Sequence, residues 1–283
     1  MRTVTFKSVL DQVFDYAGIL PEDRQTEEVR AVTGWINHWL RRAWVFYDWP
    51  DVMELEERFY RAPYDAGTAY AIGDEVYYAA EDGYYVATAA GTGNLPTDED
   101  FWEVQDELER YVDWEQAGET AMDAVMAVLH KNPRLSRTAR EVGYGLSGRG
   151  VELSPGTDVG SSVWVYFRRR PVEMTSTAWS ATATYVSGDK RYFATDGRVY
   201  VANQSAAAGE SPATDPEKWD EVEFPYVLAP AVGVGAFREW LKGEGEERQS
   251  KMQNQDVVSL LEEEMEVIVI QQGQRRAWEV TVR

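Results

Sequence analysis

Apolar positions at the start of the chain recur at steps of three and four. Val4, Phe6, Val9, Leu10, Val13, Phe14 and Ala17 predict a helix over residues 3–17. Gly18 supplies its stop, and Pro21 opens the next element. A second helix starts at Thr26, with Val29, Val32, Ile36, Trp39, Leu40, Ala43 and Tyr47 on one face. Trp35, Trp44 and Trp49 widen that face, and Pro50 ends it. Residues 51–60 read as a strand. A third helix is expected over 107–130, with Ala121, Ala124, Val125, Val128 and Leu129 inward, and a short fourth over 134–141. Residues 151–154 and 162–170 read as strands about a turn at 155–160, together a β-hairpin closed by Pro171. Near Tyr226 another helix begins, running through Val234, Phe237 and Leu241 to a break at Gly243 and Gly245. A long helix follows over 246–271, and Gly273 ends it. Beyond it, Trp278, Val280 and Val282 alternate as a strand-like tail.

Between these elements one stretch occurs twice. Tyr70-Ala-Ile-Gly73-Asp74-Glu-Val-Tyr77-Tyr78 returns as Tyr185-Val-Ser-Gly188-Asp189-Lys-Arg-Tyr192-Phe193, and the two align without a gap through Tyr85 and Tyr200. Each copy goes on to a Pro and then a Trp, Pro96 and Trp102 or Pro212 and Trp219. Gly-Asp is a turn signal, and the later Asp82-Gly83 and Asp196-Gly197 mark hairpins between aromatic runs. Each copy therefore predicts a small β-module with an aromatic core, at residues 61–106 and 175–223.

The module pattern resembles the small chitin- and cellulose-binding modules of bacterial glycoside hydrolases. Tyr64, Tyr70, Gly73, Asp74, Val76, Tyr77, Tyr85, Ala87, Pro96 and Trp102 carry the resemblance in the first copy. Trp179, Tyr185, Gly188, Asp189, Tyr192, Tyr200, Ala202, Pro212 and Trp219 carry it in the second, with Arg191 where that family prefers Val. The resemblance implies glycan contact through aromatic faces. Tyr84, Tyr78, Phe193 and Trp179 are the candidates for stacking on a sugar, and packing within the module's own core is the competing use.

The remainder resembles phage head-to-tail connector (adaptor) proteins. The likeness rests on paired N-terminal helices with a Trp-rich second member and on the strand Val163-Trp-Val-Tyr-Phe-Arg-Arg-Arg-Pro171. It rests also on Phe224-Pro-Tyr-Val-Leu-Ala-Pro-Ala-Val-Gly-Val-Gly-Ala236 ahead of an acidic, Gln-rich helix. The expected fold is therefore α+β: a helical connector domain with one β-hairpin, formed by residues 1–60, 107–174 and 224–283 and interrupted by the two inserted modules.

Charge narrows the partners. With 49 acidic and 28 basic residues the net charge is −21. Nucleic-acid affinity comes largely from Lys and Arg displacing counterions, so stable DNA or RNA binding is disfavoured, as is an anionic membrane surface. No run of 18 apolar residues is present and the N-terminal residues lack a secretory apolar region, so the protein is expected to stay where it is made or to leave by a route other than secretion. The adaptor resemblance implies synthesis in a host cytoplasm. Without cysteine there is no thiol or disulfide chemistry.

Candidate chemistry is thin. Gly143-Tyr-Gly145-Leu-Ser-Gly148 satisfies G-x-G-x-x-G, but a dinucleotide loop needs a strand before and a helix after, and here the order is reversed. His38 and His130 are the only histidines, with no partner at ligand spacing. The run Glu262-Glu-Glu264 reads as a solvated helix face. No enzyme, cofactor or metal is expected. Arg168, Arg169 and Arg170, with Ile270, Trp278, Val280 and Val282 from the C-terminal segment, are the candidate assembly contacts.

The adaptor resemblance implies a structural virion protein of the neck. It would form a ring, usually of twelve copies, docked to the portal on one side and to tail or neck proteins on the other. DNA would pass along an acidic channel without specific binding, and the modules would touch capsid or glycan. The alternative is a soluble polysaccharide-binding protein with two avid modules.

Overall fold

The computed structural model describes residues 2–105, 110–116, 119–154 and 160–281, with side chains described to residue 271. Among them are sixteen strands and four α-helices, and the strands lie in small antiparallel sheets. The chain divides into two compact units, Met53–Arg170 and the combination of Met1–Val52 with Pro171–Arg283.

In the discontinuous unit, α1 spans Phe6–Ala17. Its N-cap Thr5 accepts from the Ser8 amide at 3.1 Å, and Gly18 at its C-terminus takes φ 72°. Helix α2 (Thr26–Trp44) starts with a capping box in which the Gln25 amide donates to Glu28. Helix α3 spans Ala229–Gly243 and α4 spans Glu247–Thr281. Phe6, Val13, Phe14, Ile36, Trp39, Leu40, Leu228, Val232, Val257 and Leu261 form one core. Trp39 and Trp44 are buried as the apolar spacing requires, while Trp35 keeps partial exposure.

In the unit Met53–Arg170, strand Ser162–Arg169 is central, with Met53–Phe59 and Met122–Leu129 antiparallel on either side. Val163, Val165 and Phe167 are fully buried, and Trp164 and Tyr166 turn to the other face, as a period of two dictates. A second sheet sets Gly150–Leu153 between Tyr144–Leu146 and Tyr111–Asp113. Arg58 has no exposed surface. It is matched by Glu56, Glu119 and the Thr120 carbonyl, and lies over the Phe167 ring at 5.0 Å.

These elements correct the expected fold class: the protein is not a helical connector domain with one hairpin. The third helix expected over 107–130 is replaced by strands Tyr111–Asp113 and Met122–Leu129, and residues 134–141 form turns. Residues 151–154 and 162–169 do not pair with each other, because each is claimed by other strands. The expected turn at 155–160 lies mostly outside the described residues. Gly273 does not end the last helix. The span of α4 runs through Trp278 and Val280 to Thr281, so the tail is not a strand there.

Each copy of the repeat contains a small three-stranded sheet. Glu75–Tyr78, Gly83–Ala87 and Trp102–Val104 make a three-stranded sheet, and so do Lys190–Phe193, Arg198–Ala202 and Trp219–Val222. The correspondence extends to single hydrogen bonds. Gly73 and Gly188 take φ 94° and 92°, and each amide donates to the carbonyl of Ala87 or Ala202 at 2.8 Å. A side chain other than Gly would be strained at that turn. Tyr70 and Tyr185 each accept from the amide five residues upstream, at 2.8 and 2.7 Å. Their rings stand edge-on to Trp102 and Trp219 at 5.1 and 5.2 Å.

Candidate functional site

Alternation along the module strands decides where the sugar-stacking candidates go. Tyr78 points into the first module's core, edge-on to Tyr64 at 5.8 Å and to Tyr85 at 6.1 Å. Tyr84 turns to the opposite face beside Tyr77, donates to the Ser161 carbonyl at 3.2 Å and packs against the core of the unit Met53–Arg170. Burial raises its phenol pKa, with the neighbouring Tyr60 and Tyr77 adding to the shift. In the second module Phe193 is 8% exposed and sits edge-on to Trp179 at 5.7 Å. The structure thus brings Phe193 and Trp179 together and sets Tyr78 and Tyr84 on opposite faces.

The first module also carries an open cleft of about 630 Å³ that no sequence signal announced. Tyr85 and Trp102 contribute to it, though each is more than nine-tenths buried, and Glu81, Glu99 and Glu103 contribute carboxylates. In the second module, burial and a hydrogen bond to Asp196 push the Tyr200 phenol up to about 12.

The arginine run is matched inside its own unit. Arg168 donates to Asp123 at 2.9 Å, Arg169 lies 3.6 Å from Glu54, and Arg170 pairs with Glu115. These contacts arise because the central strand sets its basic end between acidic neighbours. Of the C-terminal candidates, Ile270 is 59% exposed on α4. Trp278 and Val280 fall within the span of α4, and Val282 lies outside the described residues.

The bland expectations have simple geometry. Gly143 precedes, Gly145 lies within and Gly148 turns a hairpin in which Tyr144–Leu146 pairs with Gly150–Leu153, so no helix N-terminus follows the motif. His130 accepts from the Arg140 amide at 2.9 Å through Nδ1, and His38 sits on α2 with its ring edge-on to Trp39. Among the described residues no group of three or more His, Asp or Glu side chains is arranged to hold a metal, and no helix is long and apolar enough to cross a membrane.

Two features of the helical unit escaped sequence reasoning. One is a cleft of about 640 Å³ between α2 and residues 174–177, bordered by Arg24, Arg30, Thr33, Gly34 and Asn37. Asn37 holds its far wall, exchanging hydrogen bonds with the Met174 backbone at 2.9 and 2.7 Å. A Gly in mid-helix beside Arg30 was the available sign. The other is that α4 is apolar on two sides. Val257 and Leu261 are buried, yet Val267, Val269 and Ile270 are each about half exposed. The chain matches no family model, no curated protein and no solved structure.

Proposed function

We propose that this chain is a structural subunit that assembles through its C-terminal helix, and that the assembly is the connector ring of a phage neck. The observation that carries the reading is the surface of α4. At 35 residues the helix measures about 52 Å, longer than α3 with its 15 residues requires of a packing partner. Its inner face is consumed by Val257 and Leu261, and a second apolar set, Val267, Val269 and Ile270, remains half in water. Apolar side chains on both sides of a helix favour burial against another molecule.

Charge supports the neck placement. A net charge of −21 repels phosphate, which suits a wall past which DNA must slide rather than stick. Paired N-terminal helices, the central strand ending in Arg168-Arg169-Arg170 and the last two helices are the elements on which the likeness to adaptor proteins rests. The partners proposed are other copies of this chain, a portal on one side and tail or neck proteins on the other. The test is the protein content of purified phage particles. The chain is expected in them at ring stoichiometry and localised to the neck by labelling, and its absence from particles would remove the reading.

A second reading, polysaccharide binding, is favoured by one feature, the open cleft over Tyr85 and Trp102 in the first module. Co-sedimentation with insoluble chitin and cellulose tests it. Retention lost on changing Glu99 and Glu103 at the cleft would support it, and no retention would remove it.

A further inference from the structure

We propose that the exposed face of α2, with the cleft along it, is a docking groove for α4 of a second copy of this chain. The proposal rests on the assembly reading above and adds the surface that receives the helix.

The chain as a whole is strongly acidic, with a net charge of −21. From Arg30 to Phe46, α2 and its extension contain no carboxylate, and they carry Arg30, His38, Arg41 and Arg42 on exposed positions. None of the residues bordering the adjacent cleft is acidic. The face ends in two exposed apolar residues, Val45 at 54% and Phe46 at 40%. Glu173 is the carboxylate that reaches this face, bonding Arg41 at 3.0 Å. Both side chains are more than half exposed, so the pair is screened and readily exchanged.

The outer face of α4 is the opposite. From Met252 to Gln271 it contains no Lys or Arg, and Asp256, Glu262, Glu263 and Glu266 are exposed. It too ends in apolar residues, Val267 and Ile270. Arg30 to Val45 spans about 22 Å of helix and Asp256 to Ile270 about 21 Å, by the rise per residue. A parallel alignment therefore sets acid against base along both helices and brings the apolar ends together. Gly34 supplies the close approach, because its Cβ position has no atom within 4 Å. Two different surfaces of one chain meeting in this way make a heterologous contact, the kind that closes into rings. The charges choose partner and register, and the apolar ends supply the burial.

The chain has no cysteine, so introduced thiols report without background. Full-length Gly34→Cys is mixed with full-length Ser259→Cys and equilibrated under mild oxidation, both as concentrated purified protein and in isolated particles. The expected result is a mixed disulfide at least about tenfold above that of Gly34→Cys with the exposed control Leu135→Cys. Adding Arg30→Glu and Arg41→Glu to the first partner should lower the yield about tenfold, equivalent to ~1.4 kcal/mol. Adding Glu263→Arg and Glu266→Arg to the second should restore it. Yield no higher than the control in both settings, or yield indifferent to charge reversal, overturns the groove. Protection of Arg30 by inorganic phosphate without cross-linking assigns the cleft to a small anion and also overturns it. A disulfide in purified protein with the chain missing from particles keeps the groove and removes the neck reading. The chain in particles without the disulfide does the reverse.

Discussion

Tyr77 lies nearly parallel to Phe59, ring centroids 5.5 Å apart and planes 22° from each other. Phe59 ends a strand of the three-stranded sheet and Tyr77 belongs to the first module, so this stack joins the repeat to its host. The equivalent residue of the second copy, Tyr192, meets Phe6 of α1 edge-on at 5.9 Å. The eighth position of the repeat thus faces the host in both copies. Val199, at the position of Tyr84, is likewise buried in the host core. The same face of the repeat therefore serves as the anchor in both copies.

This relationship gives the first prediction. Tyr77 is 8% exposed, and Tyr77→Ala should destabilise the unit Met53–Arg170 by about 3 kcal/mol, in the range for removing a buried ring. Tyr77→Phe keeps the stack and loses the bond to Asp82, which is 2.8 Å long, so it should cost only about 1 kcal/mol. Urea unfolding of both variants measures the difference. Equal losses would show that the hydroxyl, not the ring, holds the module.

Gly235 and Trp39 give the second. A Cβ built on Gly235 would lie 2.4 Å from the Trp39 ring, which is 97% buried against α3. Gly235→Ala should therefore cost stability despite the better helix propensity of Ala, by the roughly 1–3 kcal/mol typical of overpacking. Trp39→Ala should cost about 3–5 kcal/mol. In the double variant the clash is gone, so its loss should fall short of the sum, a coupling that a double-mutant cycle reads directly.

The third concerns pH. Glu75 accepts from Gln105 at 2.9 Å and pairs with Arg61. Burial pushes its carboxyl up, but the hydrogen bonds and the Arg61 charge outweigh it and hold the pKa below the ordinary value. A carboxylate with a depressed folded pKa stabilises above its unfolded value, about 4.3, and that stability is lost as pH falls through the lower folded value. Glu75→Gln should flatten the acid side of the stability profile below about pH 4.3 and lower stability at pH 7. A variant whose acid limb matches the parent would exclude Glu75 from that loss.

What the sequence made legible was local. Period-3.6 stripes gave α1, α2 and α3, and Asp-Gly turns between aromatics gave the hairpin in each repeat, because each signal sits within a few residues of the structure it directs. The third helix failed for a physical reason. Met122-Asp-Ala-Val-Met-Ala-Val-Leu129 is rich in good helix formers, and two register shifts against Ser162–Arg169 interrupt the in–out alternation that would betray a strand. Its pairing partner lies some forty residues downstream, and Met53–Phe59 pairs with the same strand from a hundred residues upstream, so no local pattern could announce the sheet. The aromatic candidates show the same limit of local pattern: Tyr84 and Tyr78 are neighbours in composition, but only the observed register shows that one faces the host and the other the module core. The α2 cleft is formed by segments 137 residues apart and held by Asn37, a residue with no distinguishing pattern.

The last prediction separates folding from assembly on a single helix. Leu261 is 4% exposed and Val267 and Ile270 are 49% and 59% exposed on α4. Leu261→Ala should lower the stability of the helical unit by about 2–5 kcal/mol, the usual cost of truncating a buried leucine. Val267→Asp with Ile270→Asp changes half-exposed side chains outside the buried core, and surface substitutions usually stay within about 0.5 kcal/mol, so the melting temperature should nearly hold. If α4 is the assembly element, this double variant should sediment as monomer at concentrations where the parent associates, and it should be missing from particles. The charge it adds also works against the acidic face already there, and raising the salt concentration should recover little, because the lost contribution is apolar burial rather than ion pairing. Wild-type association with a normal melting temperature would sink the role of this surface. A lowered melting temperature would instead mean that Val267 and Ile270 stabilise the chain's own fold, and the assembly face would have to be sought elsewhere.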